Sequence, residues 1–578
     1  MTFLARGIRL SSRRAGIWAA IALAPLPGAA ESVELDEPIL LPPFFVEESI
    51  NGPPWRYAKV PGGEILSRCG DEKTREFFKA YDRLHQLLGE FLPESLRLST
   101  TVPKALILFD ESLQPVSSRE VISGLMQDAP SVAPRSGPIR FGGRRMRPVA
   151  PTPRVRFVPN LRLWDRDAMS LFVIMRRGKF DGDSLALTAG YVRYLLNNRL
   201  PALPAWFIAG FQTLYARTTF GRDRLTLAPL KWSRAVAAAA RGQVSRGPPV
   251  LMSLAELFSA DLSPRLDVSD EDLAQLWRAQ AALLVRWGID GDRDRRRAWW
   301  NFVERSALEG ASEALLHECL GLDFAAVLGQ LGTYRSTAVR RSLRIRPSSL
   351  SPPPVLALRD ATAAEVGRIK GDWERMEIAH VKSRWPALAG KYQEQAQRTL
   401  ASAYRRDPYD AGLLAVLGLY EVDIGEDEKA REYLEAAYRL GELRPRAAYE
   451  LARLRHDALR AGRPADGRLL AEEAVSVFTP LFAAREEQPP LPEVYELIGE
   501  VWAHCEAVPT RGHLRVLDEG IRLFPRRTAL ILRAAELNAG HGYRAAAIDL
   551  IELGCRLAPD AAARRPFEEL RRRLDRGP

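Results

Sequence analysis

The chain has 578 residues, of which 46% are hydrophobic and 27% are charged. A domain usually takes ~100–200 residues, so this length predicts more than one domain, and the composition argues against global disorder. The formal net charge is +11, but the arginines are spread along the chain, as is typical of solvated helix faces. Since the sequence has no aromatic and basic motif of a nucleic-acid module, we expect no nucleic-acid partner.

The N-terminus has the pattern of an export signal. Basic residues precede an apolar run at 15–24, and the small residues Gly28 and Ala30 suit cleavage before Glu31. The run is too short to span a bilayer comfortably, although an uncleaved anchor is the alternative. Because no later apolar run reaches ~20 residues, we expect residues 1–30 to be a signal peptide. We also expect no integral membrane segment after cleavage and an exported protein, either periplasmic or secreted.

The next segments predict an arm and then an α+β domain. Residues 31–54 are acidic and rich in proline, which predicts an extended arm. Within 55–345, patterns of alternating or continuous apolar residues predict strands at 56–66, 103–110, 155–157 and 170–175. Apolar residues at helical spacing predict helices at 71–91, 118–126, 254–258, 272–287 and 298–308.

The most informative segment of this domain is 187–215. It contains AGYVRYLL at 189–196 and LPAWFIAGF at 203–211. These two stretches resemble the active-site helices of gluzincin-type zinc metallopeptidases. In that family one helix carries HExxH, with two histidine ligands and a glutamate base, and a second helix carries a zinc-binding glutamate just before a glycine. The resemblance implies a zincin-like α+β fold for 55–345.

The positions that would carry the chemistry have been replaced. Ala189, Gly190 and Arg193 stand where HExxH has its functional residues, and Ala209 stands at the third-ligand position. Alanine and glycine side chains offer zinc no lone pair, and an arginine is permanently cationic. We therefore expect a degenerate active site without catalytic residues, metal or cofactor. The alternative is that these are ordinary amphipathic core helices that resemble the family by chance.

Arg193 is the one replacement that adds a functional group. Together with Trp206 it is a candidate ligand contact, since a guanidinium can hold the carboxylate of a bound peptide. The alternative is an internal ion pair, for example with Asp181 or Asp183.

The end of the domain also resembles the peptidase MA-like group of this family. Residues 318–323 (ECLGLD) followed by a helix at 325–334 resemble its closing helix pair. His317 and Glu318 do not complete HExxH, because Gly321 occupies the position of the second histidine. The four cysteines form no CxxC pair, which argues against a zinc ribbon or a disulfide scaffold.

A linker and a helical array follow. Residues 346–362 are rich in proline and serine, which predicts a linker. Residues 363–578 resemble tetratricopeptide (TPR) repeats, for which the best-preserved repeat has its apolar and small residues at matching positions: Leu414, Leu417, Gly418, Gly425, Ala430, Leu434 and Ala437. Further matches come at Ala396, Leu400, Ala403 and Pro408, and at Ile531, Ala535, Gly542, Ala547 and Pro559. We predict about five repeats, two of them degenerate, as an all-α solenoid.

The resemblance to TPR arrays implies a protein or peptide partner rather than chemistry. Candidate partner contacts are four aromatic residues on predicted first helices: Tyr420, Tyr449, Tyr495 and Trp502. The sequence therefore predicts an exported, non-catalytic pseudo-metallopeptidase fused to a TPR array, acting as a binding scaffold of the cell envelope. Two alternatives stay open, namely an active hydrolase with an unrecognised site, and a purely structural repeat protein with an unrelated front domain.

Overall fold

The chain is described here by a computed structural model. The described residues are 53–60, 62–89, 104–110, 160–175, 196, 199, 201–220, 224–232, 251–259, 271–346, 351–384, 386, 389–442, 444–464, 467–558 and 560–576. The predicted signal peptide, residues 31–52 of the predicted arm, the helix expected at 118–126 and the strand expected at 155–157 lie outside them. So do Ala189, Gly190 and Arg193, three of the four positions at which a degenerate active site is predicted.

Two sheets occur among the described residues. The strands are β1 Arg56–Val60, β2 Gly63–Ser67, β3 Lys104–Asp110, β4 Asn160–Trp164, β5 Met169–Met175, β6 Thr218–Phe220, β7 Leu225–Leu227, β8 Leu343–Ile345 and β9 Arg359–Asp360. The larger sheet has the order β4-β5-β3-β2-β1-β9, and the smaller has the order β6-β7-β8. In the larger sheet β2, β3 and β5 are parallel, whereas β1, β4 and β9 run antiparallel to their neighbours.

The described helices fall into a front group and an array. The front group is α1 Asp71–Gly89, α2 Ala205–Tyr215, α3 Leu254–Ser259, α4 Glu271–Ile289, α5 Arg293–Glu309, α6 Glu313–Leu320 and α7 Phe324–Ala338. The array is α8 Ala363–Arg384, α9 Ala389–Arg406, α10 Ala411–Ile424, α11 Asp427–Arg439, α12 Pro445–Ala461, α13 Ala471–Glu486, α14 Pro492–His504, α15 Arg511–Leu523, α16 Thr528–Gly540, α17 Arg544–Leu557 and α18 Ala561–Asp575.

The strand expected at 56–66 is a hairpin of two strands. The chain reverses after Val60, where Gly62 has a φ of +70°, and β1 then pairs antiparallel with β2. Glycine adopts this backbone conformation without the steric cost that a β-carbon would bring. The strand-like pattern at 56–66 therefore corresponds to two strands, because an apolar pattern does not by itself show where a two-residue reversal falls.

The larger sheet is covered on both faces. Ile65, Leu106 and Leu108 pack into the front core with Phe77 of α1. Alternate residues of a strand point to opposite faces, and the other face of the sheet packs against the array through Trp373 of α8. Burial on both faces explains why residues 104–110 read as one apolar run. Helix α8 is thus both the first helix of the array and the cover of the front sheet.

The array consists of helical hairpins, which the described residues form as α8/α9, α10/α11, α12/α13, α14/α15 and α16/α17, followed by α18. In the second hairpin, a β-carbon on Gly418 would lie 2.5 Å from Cγ of Leu434. Gly425 ends α10 in the left-handed conformation, with a φ of +87°. The small residue at this crossing and the glycine at this turn are the features that the TPR resemblance predicted. Within the predicted linker, β9 adds a short strand to the front sheet.

Candidate partner-binding face and degenerate motif

The first helices of the hairpins lie side by side along the array. Helix α8 packs beside α10, α10 beside α12, α12 beside α14, and α14 beside α16. We call the surface formed by these five helices the first-helix face. In a helical solenoid such a face is the natural site for an extended segment of another protein.

Part of this face is occupied by a turn of the front domain. Residues 165–168, which we call the acidic turn, connect β4 to β5, and the amide of Asp165 donates to the carbonyl of Ala168 at 2.7 Å. The carboxylate of Asp167 accepts from the guanidinium of Arg444 at 3.0 Å and from the backbone amide of Arg446 at 2.8 Å. Arg375 donates to the carboxylate of Asp165, and so does Arg446.

Arg375, Arg444 and Arg446 form what we call the arginine cluster, which the array itself also holds in place. Arg375 donates to Asp372 at 2.8 Å, and Arg444 donates to the same carboxylate at 3.1 Å. Arg446 donates to Asp423 of α10 at 2.6 Å. The cluster therefore joins α8, α10 and the start of α12.

This ionic network is removed from water. Arg375 is 2% exposed and Asp167 is 1% exposed. A charge in such a place is tolerated only when it is paired and hydrogen-bonded. All four of its carboxylates and all three arginines have such partners, so the contact between front domain and array is specific in both charge and geometry.

The pKa values follow from this pairing. Burial alone would raise the pKa of Asp165, but the guanidinium groups of Arg375, Arg446 and Arg444 outweigh it and hold this pKa far below its usual range. Burial alone would also raise the pKa of Asp372, but the guanidinium groups of Arg444 and Arg375 lower it below its usual value. Both carboxylates are consequently ionised at neutral pH.

The contact continues beyond the arginine cluster onto α12. Arg166, the central residue of the acidic turn, lies over the ring of Tyr449 with 5.7 Å between guanidinium carbon and ring centroid. Its guanidinium also lies 3.4 Å from the carboxylate of Glu450, which Arg453 contacts at 2.7 Å. Tyr449, one of the four predicted partner contacts, therefore contacts this chain's own front domain.

The other three aromatic candidates lie in different surroundings. Tyr420 and Tyr495 are 1% and 0% exposed, and their hydroxyls donate to the carbonyl of Gln393 and to the carboxylate of Glu519. Both side chains pack within the array. Trp502 is partly buried and stacks on the ring of His513 at 5.2 Å. The four residues do not converge on one site.

The second motif helix, α2, is described, and it lies in the front core. Trp206 is buried in an aromatic group with Phe258 and Trp299, at centroid distances of 5.1 and 5.7 Å. Ala209 is partly buried and packs on the same core. A β-carbon on Gly210 would lie 2.6 Å from the carbonyl oxygen of Ala281 in α4. Gly210 is therefore needed for the close packing of α2 on α4.

Sequence reasoning did not find the acidic turn or the arginine cluster. The pairs Arg375–Asp165 and Arg446–Asp165 are 210 and 281 positions apart in the chain. The sequence does contain a local sign, since Arg444 and Arg446 flank Pro445 at the start of α12. It does not show which carboxylates face them.

Among the described residues, no group of three or more histidine, cysteine, aspartate or glutamate side chains is placed to hold a metal ion. In the same part of the chain, no single helix has the length and apolar composition needed to cross a membrane. Only the pair α6 and α7 together meets that measure of length and composition, with a bend of 70° between them.

Comparison with known proteins gives matches only among solved structures. No protein-family model matches the chain, and no curated protein does. Similar structures include YrrB, described as a TPR protein with an unusual peptide-binding site (16% identity, TM-score 0.26, 36% of this chain and 99% of that chain). MamA matches at 16% identity with a TM-score of 0.23, over 32% and 93% of the two chains. PilF of Pseudomonas aeruginosa matches at 17% identity with a TM-score of 0.24, over 37% and 95%.

Because these TM-scores are low, the class of the array rests on its own hairpins. Its five described hairpins, with the close crossing at Gly418 and the left-handed turn at Gly425, define an all-α solenoid of the TPR type.

Proposed function

We propose that this protein is a non-catalytic scaffold that binds extended protein segments along its first-helix face. One observation carries the proposal, namely that the array already holds the acidic turn of the front domain there. The acidic turn is bound by three arginines from α8 and α12, with hydrogen bonds from both side chains and backbone. A surface that binds one segment of this kind within the chain has the chemistry to bind another.

The part of the face beyond α12 is available for a partner. Between α14 and α16, Arg533 pairs with Glu500 at 2.8 Å, and Arg527 lies 3.7 Å from Glu496. These side chains are a third to a half exposed, so their pairs add little stability and can be exchanged for pairs with a partner. We expect a partner segment that carries charges of both signs.

A site-specific photo-crosslinker tests where the partner binds. We would place it at Glu496 or Arg533 on first helices of the full-length protein, and at the exposed Val475 of α13 and Arg515 of α15 as matched second-helix controls. The proposal expects one partner crosslinked from the two first-helix positions and not from the two controls. Equal crosslinking from all four positions, or from the controls alone, would contradict it.

The finer part of the proposal is that the front domain is a peptidase-like domain without catalysis, carried by an exported protein. Its support is the sequence frame around Ala189, Gly190, Arg193 and Ala209. Purified full-length protein should then contain no stoichiometric zinc, and a chelator should leave its unfolding temperature unchanged. Stoichiometric zinc would instead favour the alternative of an active hydrolase. Fractionation of cells into cytoplasm, periplasm and medium tests export directly.

The frame itself can be tested by restoring it. Ala189→His, Gly190→Glu, Arg193→His and Ala209→Glu together supply the ligands and base that a gluzincin site requires. If the frame is correct, the folded variant gains zinc affinity that the parent lacks. A folded variant that binds no zinc would leave only a chance resemblance of two core helices.

A further inference from the structure

A groove of about 780 Å³ opens at the N-terminal end of the array, between α8, α9 and the edge of the front sheet. Helices α8 and α9 meet closely at its base, where a β-carbon on Gly367 would lie 2.1 Å from Cβ of Ala403. Pro54 and Trp55 line its other end. In a solenoid each hairpin is covered by the one before it, and in the described chain α8 and α9 are the first hairpin. The groove is part of the surface that such a neighbour would cover.

The groove carries an excess of positive charge. Lys370, Arg398 and Arg406 line it, together with one carboxylate, Asp360. Lys370 pairs with Glu374 at 3.4 Å and Asp360 pairs with Arg56, so the excess charge comes from Arg398 and Arg406. Arg398 donates to two neutral acceptors, the carbonyl of Glu394 at 3.4 Å and the side-chain oxygen of Gln395 at 3.3 Å. Within the described chain, Arg406 has no ion-pair partner. An anionic segment would therefore complement the groove.

The chain carries such a segment next to the groove. Residues 31–52 contain six acidic side chains and no lysine or arginine, and their middle, 39–46, is the apolar and proline-rich run ILLPPFFV. The segment ends directly before Pro53, and the two residues that follow Pro53, Pro54 and Trp55, line the groove. An extended chain covers ~3.3 Å per residue, so the six positions from Glu48 to Pro54 span roughly 20 Å.

We propose that the acidic arm, residues 31–52 of the same chain, lies in this groove and covers the first hairpin of the array. Within it, Glu47 and Glu48 pair with Arg398 and Arg406. The arm thus covers the part of the first hairpin that the front sheet leaves open.

A disulfide-trapping experiment on the full-length protein tests this position. In a background with Cys319→Ser and Cys555→Ser, Ser49→Cys is combined with Ser402→Cys in the groove. The control combines Ser49→Cys with Thr479→Cys on an exposed surface of α13. We expect at least a five-fold higher yield of the intramolecular disulfide for the groove pair. Equal yields from the two pairs would overturn the proposal.

Charge reversal tests the chemistry of the contact. Arg398→Glu with Arg406→Glu should lower the groove-pair disulfide yield several-fold, whereas Arg431→Glu on the exposed surface of α11 should leave it unchanged. If the doubly reversed protein fails to fold, Glu47→Gln with Glu48→Gln in the arm makes the same test from the other side. If neither set of changes alters the disulfide yield, the arm does not lie against these arginines.

Discussion

At the scale of single residues, Asp165 is the residue of the acidic turn that matters most for the contact between front domain and array. It lies between three guanidinium groups whose side chains are at most 15% exposed. Removing one partner from a buried ionic network leaves the opposite charges uncompensated, which costs more than the loss of the attraction alone. The stability of the contact between front domain and array should therefore depend on this one carboxylate.

We expect Asp165→Asn to lower the free energy of unfolding by about 3 kcal/mol, since it strands buried guanidinium charge. Denaturant unfolding followed by fluorescence measures the change. Asp457→Asn is a matched control, because Asp457 pairs with Arg453 at 2.9 Å on an exposed part of α12 and should cost less than about 1 kcal/mol. Equal effects of the two variants would show that the arginine cluster is not held by Asp165.

The same carboxylate predicts an acid dependence. Because the pKa of Asp165 is lower in the folded protein than the ~3.9 of an unfolded chain, its contribution is present above pH ~4 and is lost as the pH falls below it. Between pH 5 and pH 3, the wild-type protein should therefore lose stability more steeply than Asp165→Asn. Parallel pH profiles would contradict this assignment.

Glu377 of α8 predicts a dependence of the opposite sign. Burial, with the neighbouring carboxylate of Glu374, raises its pKa to about 8. A raised pKa in the folded state means that stability is full below the unfolded value of ~4.3 and declines as the pH rises towards 8. Glu377→Gln should remove this decline, so the variant gains over the wild type at pH 8.5 and not at pH 4. Unfolding temperatures of the variant and the wild type at the two pH values test this prediction. A gain of equal size at pH 4 and at pH 8.5 would contradict it.

At the scale of elements, the crossing of α2 and α4 explains why position 210 is a glycine. The β-carbon of an alanine at position 210 would meet the backbone carbonyl of Ala281 at 2.6 Å and the side chain of Val285 at 2.9 Å. A backbone carbonyl in a helix cannot move aside as a flexible side chain can. This packing requirement holds with or without an active site beside it.

We therefore expect Gly210→Ala to destabilise the protein by about 1–3 kcal/mol, the usual cost of overpacking. The control is Gly329→Ala in α7, where a β-carbon would meet nothing within 4 Å and the helix gains up to ~1 kcal/mol. Thermal unfolding of both variants should thus give shifts of opposite sign. Destabilisation by both, or by neither, would remove the packing explanation for Gly210.

These elements also show how far the sequence could be interpreted. Gly418 and Leu434 were recognisable because neighbouring helices of a repeat meet at fixed local spacing, so the array could be predicted. The short edge strand β4 was not predicted, since its five residues pair only with β5. The arginine cluster could not be predicted either, because its partners come together only when the front domain and the array are both folded.

At the scale of the whole molecule, the front domain and the start of the array form a common structure. Helix α8 buries Ile369 and Trp373 against the front sheet, and Arg368 of the same helix makes two hydrogen bonds of 2.6 Å to the carboxylate of Glu64. The later hairpins have a core of their own, which includes Val494, Leu514 and Ile531. The boundary in stability should thus lie inside the array, after its first hairpins.

A fragment of residues 363–578 tests this division. Without the front domain, α8 exposes Ile369 and Trp373 to water, and Arg375, Arg444 and Arg446 lose Asp165 and Asp167. We expect hydrogen exchange in α8 to become at least ten-fold faster than in the full-length protein, while α14, α16 and α17 keep their protection, because their core is intact. Mass spectrometry of peptides from these helices measures both rates in one experiment. If α8 stays as protected in the fragment as in the full chain, the array would be an independent domain, and the acidic turn would be only a contact between two separately stable parts.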